Sequence, residues 1–123
     1  MIQKRAWGGG AKCNAAGRAS LTRPIEIAGK SGALYRYKLI EEERYLPPAG
    51  ANFVIAEMTK AGTRIVFAGE TDSLASQAWR PALEKAQKTC PSAKVLTRLN
   101  VTRVVREAER ADLIAEHAPP MNR

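Results

Sequence analysis

From Pro24 onward the apolar positions of this chain fall first at strand spacing and then at helical spacing. Residues 24–28 and 33–40 are rich in β-branched and aromatic side chains and flank Gly29-Lys30-Ser31-Gly32, the pattern of a hairpin. Pro47, Pro48 and Gly50 then break any regular element. Residues 52–59 and 63–68 predict two more strands, joined at Lys60-Ala61-Gly62. The near-continuous apolar character of the second predicts a central, well-buried strand. Beyond Gly69 the spacing turns helical, with Leu74, Ala75 and Ala78 in phase and Thr71 or Asp72 placed to accept from first-turn amides. Pro81 lacks an amide, so it interrupts that helix or begins another. Helices are expected over 72–79 and 81–88, a third core strand over 94–99, and a final helix over 101–117. Asn100 or Thr102 stands near the start of that helix, and Pro119 and Pro120 force its end.

The final helix has two faces at about 100° per residue. Val101, Val104, Val105, Ala108 and Ala115 fall together and predict a core stripe. Arg103, Arg106, Arg110 and His117 fall opposite, with Leu113 and Ile114 flanking them. That basic side is either a solvated face, partly neutralised by Glu107, Glu109 and Glu116, or a row of guanidiniums able to meet phosphates bidentately.

Together these elements predict an α/β (α+β) fold: a small mixed or antiparallel sheet of three core strands plus an N-terminal hairpin, flanked by helices. At 123 residues the chain holds one domain with a modest core. Its organisation divides into 1–23, a flexible basic Gly-rich tail; 24–50, the hairpin and a Pro-rich linker; and 51–123, the main domain. The tail holds Lys4, Arg5, Lys12, Arg18 and Arg23 and no acid, so five units of the net +8 reside there. It is either an arm that attracts phosphate backbones or a solubilising leader. No apolar run reaches the roughly 20 residues of a membrane span. Cys13 and Cys90 lie far apart with no metal-ligand spacing, which predicts reduced thiols and a cytoplasmic setting.

Two segments carry a resemblance. Ala51-Asn52-Phe53 and Phe67-Ala68-Gly69, with Thr71 two residues on, are similar to the paired strand motifs of the GIY-YIG nuclease superfamily. Leu113-Ile114 and Pro119-Pro120-Met121-Asn122 resemble that family's closing pattern. The match covers 51–122 and implies a nuclease-superfamily protein acting on nucleic-acid phosphate backbones, DNA ahead of RNA. If active, it would be a metal-dependent endonuclease using Mg²⁺ or Mn²⁺.

The departures bear on activity. Phe53 and Phe67 stand where the family has tyrosines, and phenylalanine neither accepts nor relays a proton. Gln77 occupies the place of the family's Arg, with Arg80 nearby as a partial substitute. Arg110 falls where a metal-binding Glu belongs, and a cation does not ligate Mg²⁺. Either Glu107, one turn earlier, has become the metal ligand, or the site is inactive; the joint loss of these groups favours the second. The alternative function is therefore an inactive nucleic-acid-binding module using Arg98, Arg103, Arg106 and Arg110, or else a structural or protein-interaction domain.

Overall fold

The computed structural model describes residues 24–42 and 45–122; the basic tail expected over 1–23 lies outside them. The elements run β1 (Ile25–Ala28), β2 (Leu34–Leu39), β3 (Ala51–Thr59), β4 (Gly62–Thr71), α1 (Arg80–Thr89), β5 (Lys94–Leu99) and α2 (Arg103–His117). Short 3₁₀ turns occupy Ile40–Glu42, Leu74–Ser76 and Pro120–Asn122. The fold is α+β. All strand pairs are antiparallel, in the order β1-β2-β5-β3-β4. The hairpin joins the three expected core strands through Lys38 opposite Thr97 and Leu39 opposite Leu96, so one sheet counts five strands.

The well-buried interior strand is β3, not the 63–68 segment. Hydrogen-bonded to β4 and β5 on its two sides, β3 buries eight of its nine residues. β4 lies at the sheet edge. Its apolar run is explained by cover on both faces together with a bulge. Ile55 pairs with Phe67 while Ala56 pairs with Ile65, leaving Val66 as the extra residue. Ordinary alternation sends neighbouring Ile65 and Val66 to different cores, and the bulge sets Val66 and Phe67 on the same side. One core gathers Ile65 with Tyr37, Leu39, Val54, Leu96 and Leu113 of α2. The other gathers Val66 with Phe53, Ile55, Val95, Leu74, Trp79 and Ala86 of α1. Truncating a side chain as buried as Ile55 or Leu96 (both 0% exposed) to Ala costs about 2–5 kcal/mol.

The helix expected over 72–79 is only the turn Leu74–Ser76. Thr71 Oγ1 accepts from the Ser73 amide at 3.2 Å, as anticipated. The next amides, however, are drawn to the 45–50 loop: Leu74 donates to the Ala49 carbonyl (2.9 Å) and Ala75 to Pro47 (3.1 Å). Gln77 then adopts a left-handed conformation, φ 59°, which ends the turn. Pro81 begins α1, as its missing amide permits.

The final helix buries the face opposite to the one expected. Arg106, Glu109 and Leu113 are its buried residues, whereas Val101, Val104, Val105, Ala108 and Ala115 are all exposed. Counting apolar positions misled because three small valines outvoted the larger Leu113, with Ile114 packed beside it. The underside of α2 is instead a polar network. Glu109 accepts from Tyr37 Oη (2.5 Å), Arg98 Nε (3.0 Å) and Asn100 Nδ2 (3.3 Å). Asn100 also donates to Asn52 Oδ1, and Asn52 donates to the Arg106 carbonyl. Every buried polar group in this chain of bonds finds a partner, which is the condition for such a network to stabilise.

Further along α2, Asp112 clamps the hairpin turn. It accepts from the Ser31 amide (2.9 Å), Ser31 Oγ (2.7 Å) and Tyr35 Oη (2.7 Å). Those hydrogen bonds, Tyr35 first, hold its carboxyl below the usual carboxylate range. Burial, with the Asp112 hydrogen bond and charge behind it, pushes the Tyr35 phenol up to about 12. His117 donates from Nε2 to the Ala28 carbonyl at 2.7 Å. The chain leaves α2 through Ala118 (φ 44°) and buried Pro119. Asn122 then lies across the edge of β4, accepting from the Ala68 amide (2.7 Å) and donating to its carbonyl (3.0 Å). A side-chain amide here stands in for a sixth strand, blunting an open sheet edge.

Cys90 is fully buried and disulfide-bonded, so the expected free thiol is not found there; Cys13 lies outside the described residues. No helix among the described residues is long and apolar enough to cross a membrane.

Candidate functional site

Where β4 forms the sheet edge, an open cleft of about 580 Å³ lies between elements from both sides of the sheet. Its lining joins Phe53 of β3, Phe67, Gly69 and Glu70 of β4, Ala78, and Glu107 and Arg110 of α2. The two phenylalanine rings meet at 5.9 Å between centroids, tilted by 30°. Gly69 sits opposite Phe53 in the ladder, and a Cβ there would lie 2.6 Å from Phe53 Cζ. The absent side chain is what lets the Phe53 ring lie across the neighbouring strand.

The cleft carries three charged groups in two different conditions. Glu70 accepts from Arg106 Nε at 2.7 Å, and Glu107 accepts from Arg103 Nε at 3.0 Å, so each carboxylate is already held by a guanidinium. The guanidinium of half-buried Arg110, by contrast, makes no hydrogen bond or ion pair among the described residues. A partly desolvated cation with no partner among the described residues is suited to an anionic ligand.

Arg106 is the residue that shapes this end of α2. Only 3% exposed, it bonds Glu70, Asp72 (2.5 Å) and the carbonyls of Asn100 (3.1 Å) and Val101 (2.7 Å). A Cβ on Gly50 would lie 2.1 Å from its Nη1, so the glycine makes the guanidinium's seat. Arg106 is therefore a structural tie between α2 and the chain following β4, and it does not belong to a phosphate-facing row.

The other residues singled out from sequence divide sharply. Phe53, Phe67, Glu107 and Arg110, spread over 57 positions, come together in the cleft. Gln77 and Arg80 do not line it. Arg80 instead donates to Gln77 Oε1 from Nε (2.9 Å) and Nη2 and lies 5.2 Å over the Trp79 ring. Arg98 is committed to Glu109 and to the face of Tyr35. Arg103 is exposed but paired with Glu107. The expected row of four arginines thus reduces to Arg110, with Arg103 at its margin. Glu70 is a cleft residue that sequence reasoning did not single out; its place directly after Gly69 was the signal.

The cleft does not fit Mg²⁺ or Mn²⁺. Such ions need several oxygen donors in near-octahedral array, and no group of three or more acidic, His or Cys side chains suited to a metal exists among the described residues. The two carboxylates present already hold arginines, and Arg110 stands in the same space. A divalent cation would have to displace Arg103 and Arg106 and sit against Arg110.

Comparison with known proteins brings no match, whether to family models, to curated proteins or to solved structures.

Proposed function

We propose that this chain is a nucleic-acid-binding module of GIY-YIG-like organisation that engages a backbone phosphate in the β4–α2 cleft without hydrolysing it. One observation carries the reading: Arg110 is a half-buried guanidinium, without a partner among the described residues, in an open cleft whose two carboxylates are both neutralised. Phosphate oxygens would receive its fork of N–H donors, with the positive charge supplied by protein rather than by metal. Phe53 and Phe67 close the apolar side of the cleft and offer no proton acceptor to an attacking water. DNA is the first ligand to test, RNA the second.

A second reading deserves a test because Glu70 and Glu107 share the cleft. If ligand binding drew Arg103 and Arg106 away, the two carboxylates would become available to a metal, and the domain would be a metal-dependent endonuclease. A nicking assay on supercoiled DNA, branched DNA and structured RNA separates the two, with Mg²⁺ or Mn²⁺ and with parent and Glu107→Ala proteins. The expected result is no cutting, together with binding that weakens steeply as salt rises. Metal-dependent cutting that disappears in Glu107→Ala would replace the binding module by the enzyme. Absence of salt-sensitive binding to any of the three substrates would reject both.

A further inference from the structure

The β4–α2 cleft holds more than one phosphate needs. At about 580 Å³ it has the size of a pocket for a whole small molecule. One wall is aromatic, and Gly69 is what brings its two rings together. A Cβ on that glycine would stand 2.6 Å from Phe53 Cζ and 3.0 Å from Phe67 Cε2. With no side chain in the way, the rings approach to 5.9 Å between centroids. Phe53, 4% exposed, backs the pair, whereas Phe67 is only half-buried and lines the open space.

The polar wall offers two kinds of group. Arg110 brings N–H donors that no described residue uses. Glu70 receives Arg106 on Oε1, and Glu107 receives Arg103 on Oε2. The other oxygen of each carboxylate has no bond among the described residues. Ionised carboxylates accept and do not donate. Those two oxygens therefore suit N–H or O–H groups of a ligand and disfavour a second phosphate beside the one at Arg110.

We propose, building on the phosphate-binding reading of this same cleft, that it seats one unstacked nucleotide of a single strand. Arg110 takes the phosphate and the face of the base lies against Phe67. The free oxygens of Glu70 and Glu107 accept from amino or hydroxyl groups of the base and sugar. Within a paired duplex no base face is free for Phe67, because each is covered by its neighbours in the stack. A single strand splays its bases and exposes their faces to aromatic side chains. With one accessible ring, the cleft holds one base.

The test is fluorescence anisotropy of the full chain with two labelled DNA strands of equal length at fixed salt. One strand is ordinary; the other has abasic sugars throughout, so the phosphates are equal in number and only the bases differ. The parent is expected to bind the ordinary strand roughly tenfold more tightly, the contribution of one base stacked on an aromatic ring. Phe67→Leu, which keeps an apolar side chain and loses the ring, is expected to bind both strands alike. Phe67→Tyr is expected to keep the parent's ratio. The parent comparison decides by itself if Phe67→Leu is unstable by thermal unfolding. Equal binding of the two strands by the parent overturns the nucleotide seat; if that binding still weakens with salt and with Arg110→Ala, the phosphate reading survives it. A tenfold ratio retained in folded Phe67→Leu also overturns the seat, since the base then lies elsewhere. Absence of salt-sensitive binding to either strand overturns the seat and the phosphate reading together.

Discussion

The two sides of α2 are made of similar residues and serve opposite ends. Toward the hairpin, Tyr35, Tyr37, Arg98, Glu109 and Asp112 are all partnered, several of them by two or three groups. Toward the cleft, one turn of the same helix presents Arg110 with none among the described residues. Charge alone does not distinguish a site from a scaffold in this molecule; saturation does. A buried polar group with every bond made holds elements in register, and its cost is already met by its partners. A half-buried cation with none retains its full capacity for a ligand.

The largest effect is expected where the scaffold side reaches the cleft. Arg106→Met removes a guanidinium that is 3% exposed and leaves Glu70 and two carbonyls without their donor. Breaking a buried pair in this way costs about 3–5 kcal/mol, to be read as a lower urea midpoint. The paired change Arg106→Met with Glu70→Gln should recover part of that loss, because the uncompensated carboxylate is then gone. If Arg106→Met left the midpoint unchanged, the division into saturated scaffold and unsaturated site would fail at its strongest point.

A smaller effect follows from pH on the hairpin clamp. Asp112 sits below its usual range, mainly because of Tyr35, so it contributes stability that is present above the ordinary carboxylate pKa of about 4 and is lost as pH falls through the lowered value. Tyr35 is raised to about 12 by burial and Asp112, so its contribution is complete below about 10, the ordinary phenol value, and fades as pH climbs to about 12. Tyr37 is raised too, chiefly by burial and then by Glu109, and sustains part of the alkaline limb by itself. Tyr35→Phe should therefore flatten the acid limb of a stability–pH profile and shrink, without abolishing, the alkaline one. A profile identical to the parent's would show that the clamp is not formed in solution.

These contrasts also explain what could be read from sequence. The strands and the hairpin were legible because alternation and Gly-bearing turns act locally, and the β5 limits agree with the expected 94–99. The short turn at 74–76 was not, because the carbonyls that stop it, those of Pro47 and Ala49, come from the distant 45–50 loop. The inward face of α2 was misread for a related reason. Arg106 and Glu109 look like surface residues until Gly50, Asn52 and Tyr37, from other strands and loops, provide their seats. The cleft was half legible: Phe53, Phe67, Glu107 and Arg110 were found through a resemblance to motif positions, whereas the idleness of Arg110 and commitment of Arg98 and Arg106 required the tertiary partners.

The smallest stability effect belongs to the residue on which the functional proposal rests. Arg110→Ala breaks no bond within the described chain, so its unfolding free energy should stay within about 0.5 kcal/mol of the parent's. The same substitution should weaken nucleic-acid binding across sequences and lower the slope of log affinity against log salt by about 1, the share of one phosphate contact. Arg103→Ala, at the cleft margin and already paired, should change that slope less. The contrast with Arg106 then becomes a double dissociation: one arginine that matters to folding, and one, a single turn away, that matters to the ligand. Should Arg110→Ala prove destabilising by several kcal/mol, Arg110 would belong to the scaffold; with stability and salt slope both unmoved, the cleft would not be where phosphate binds.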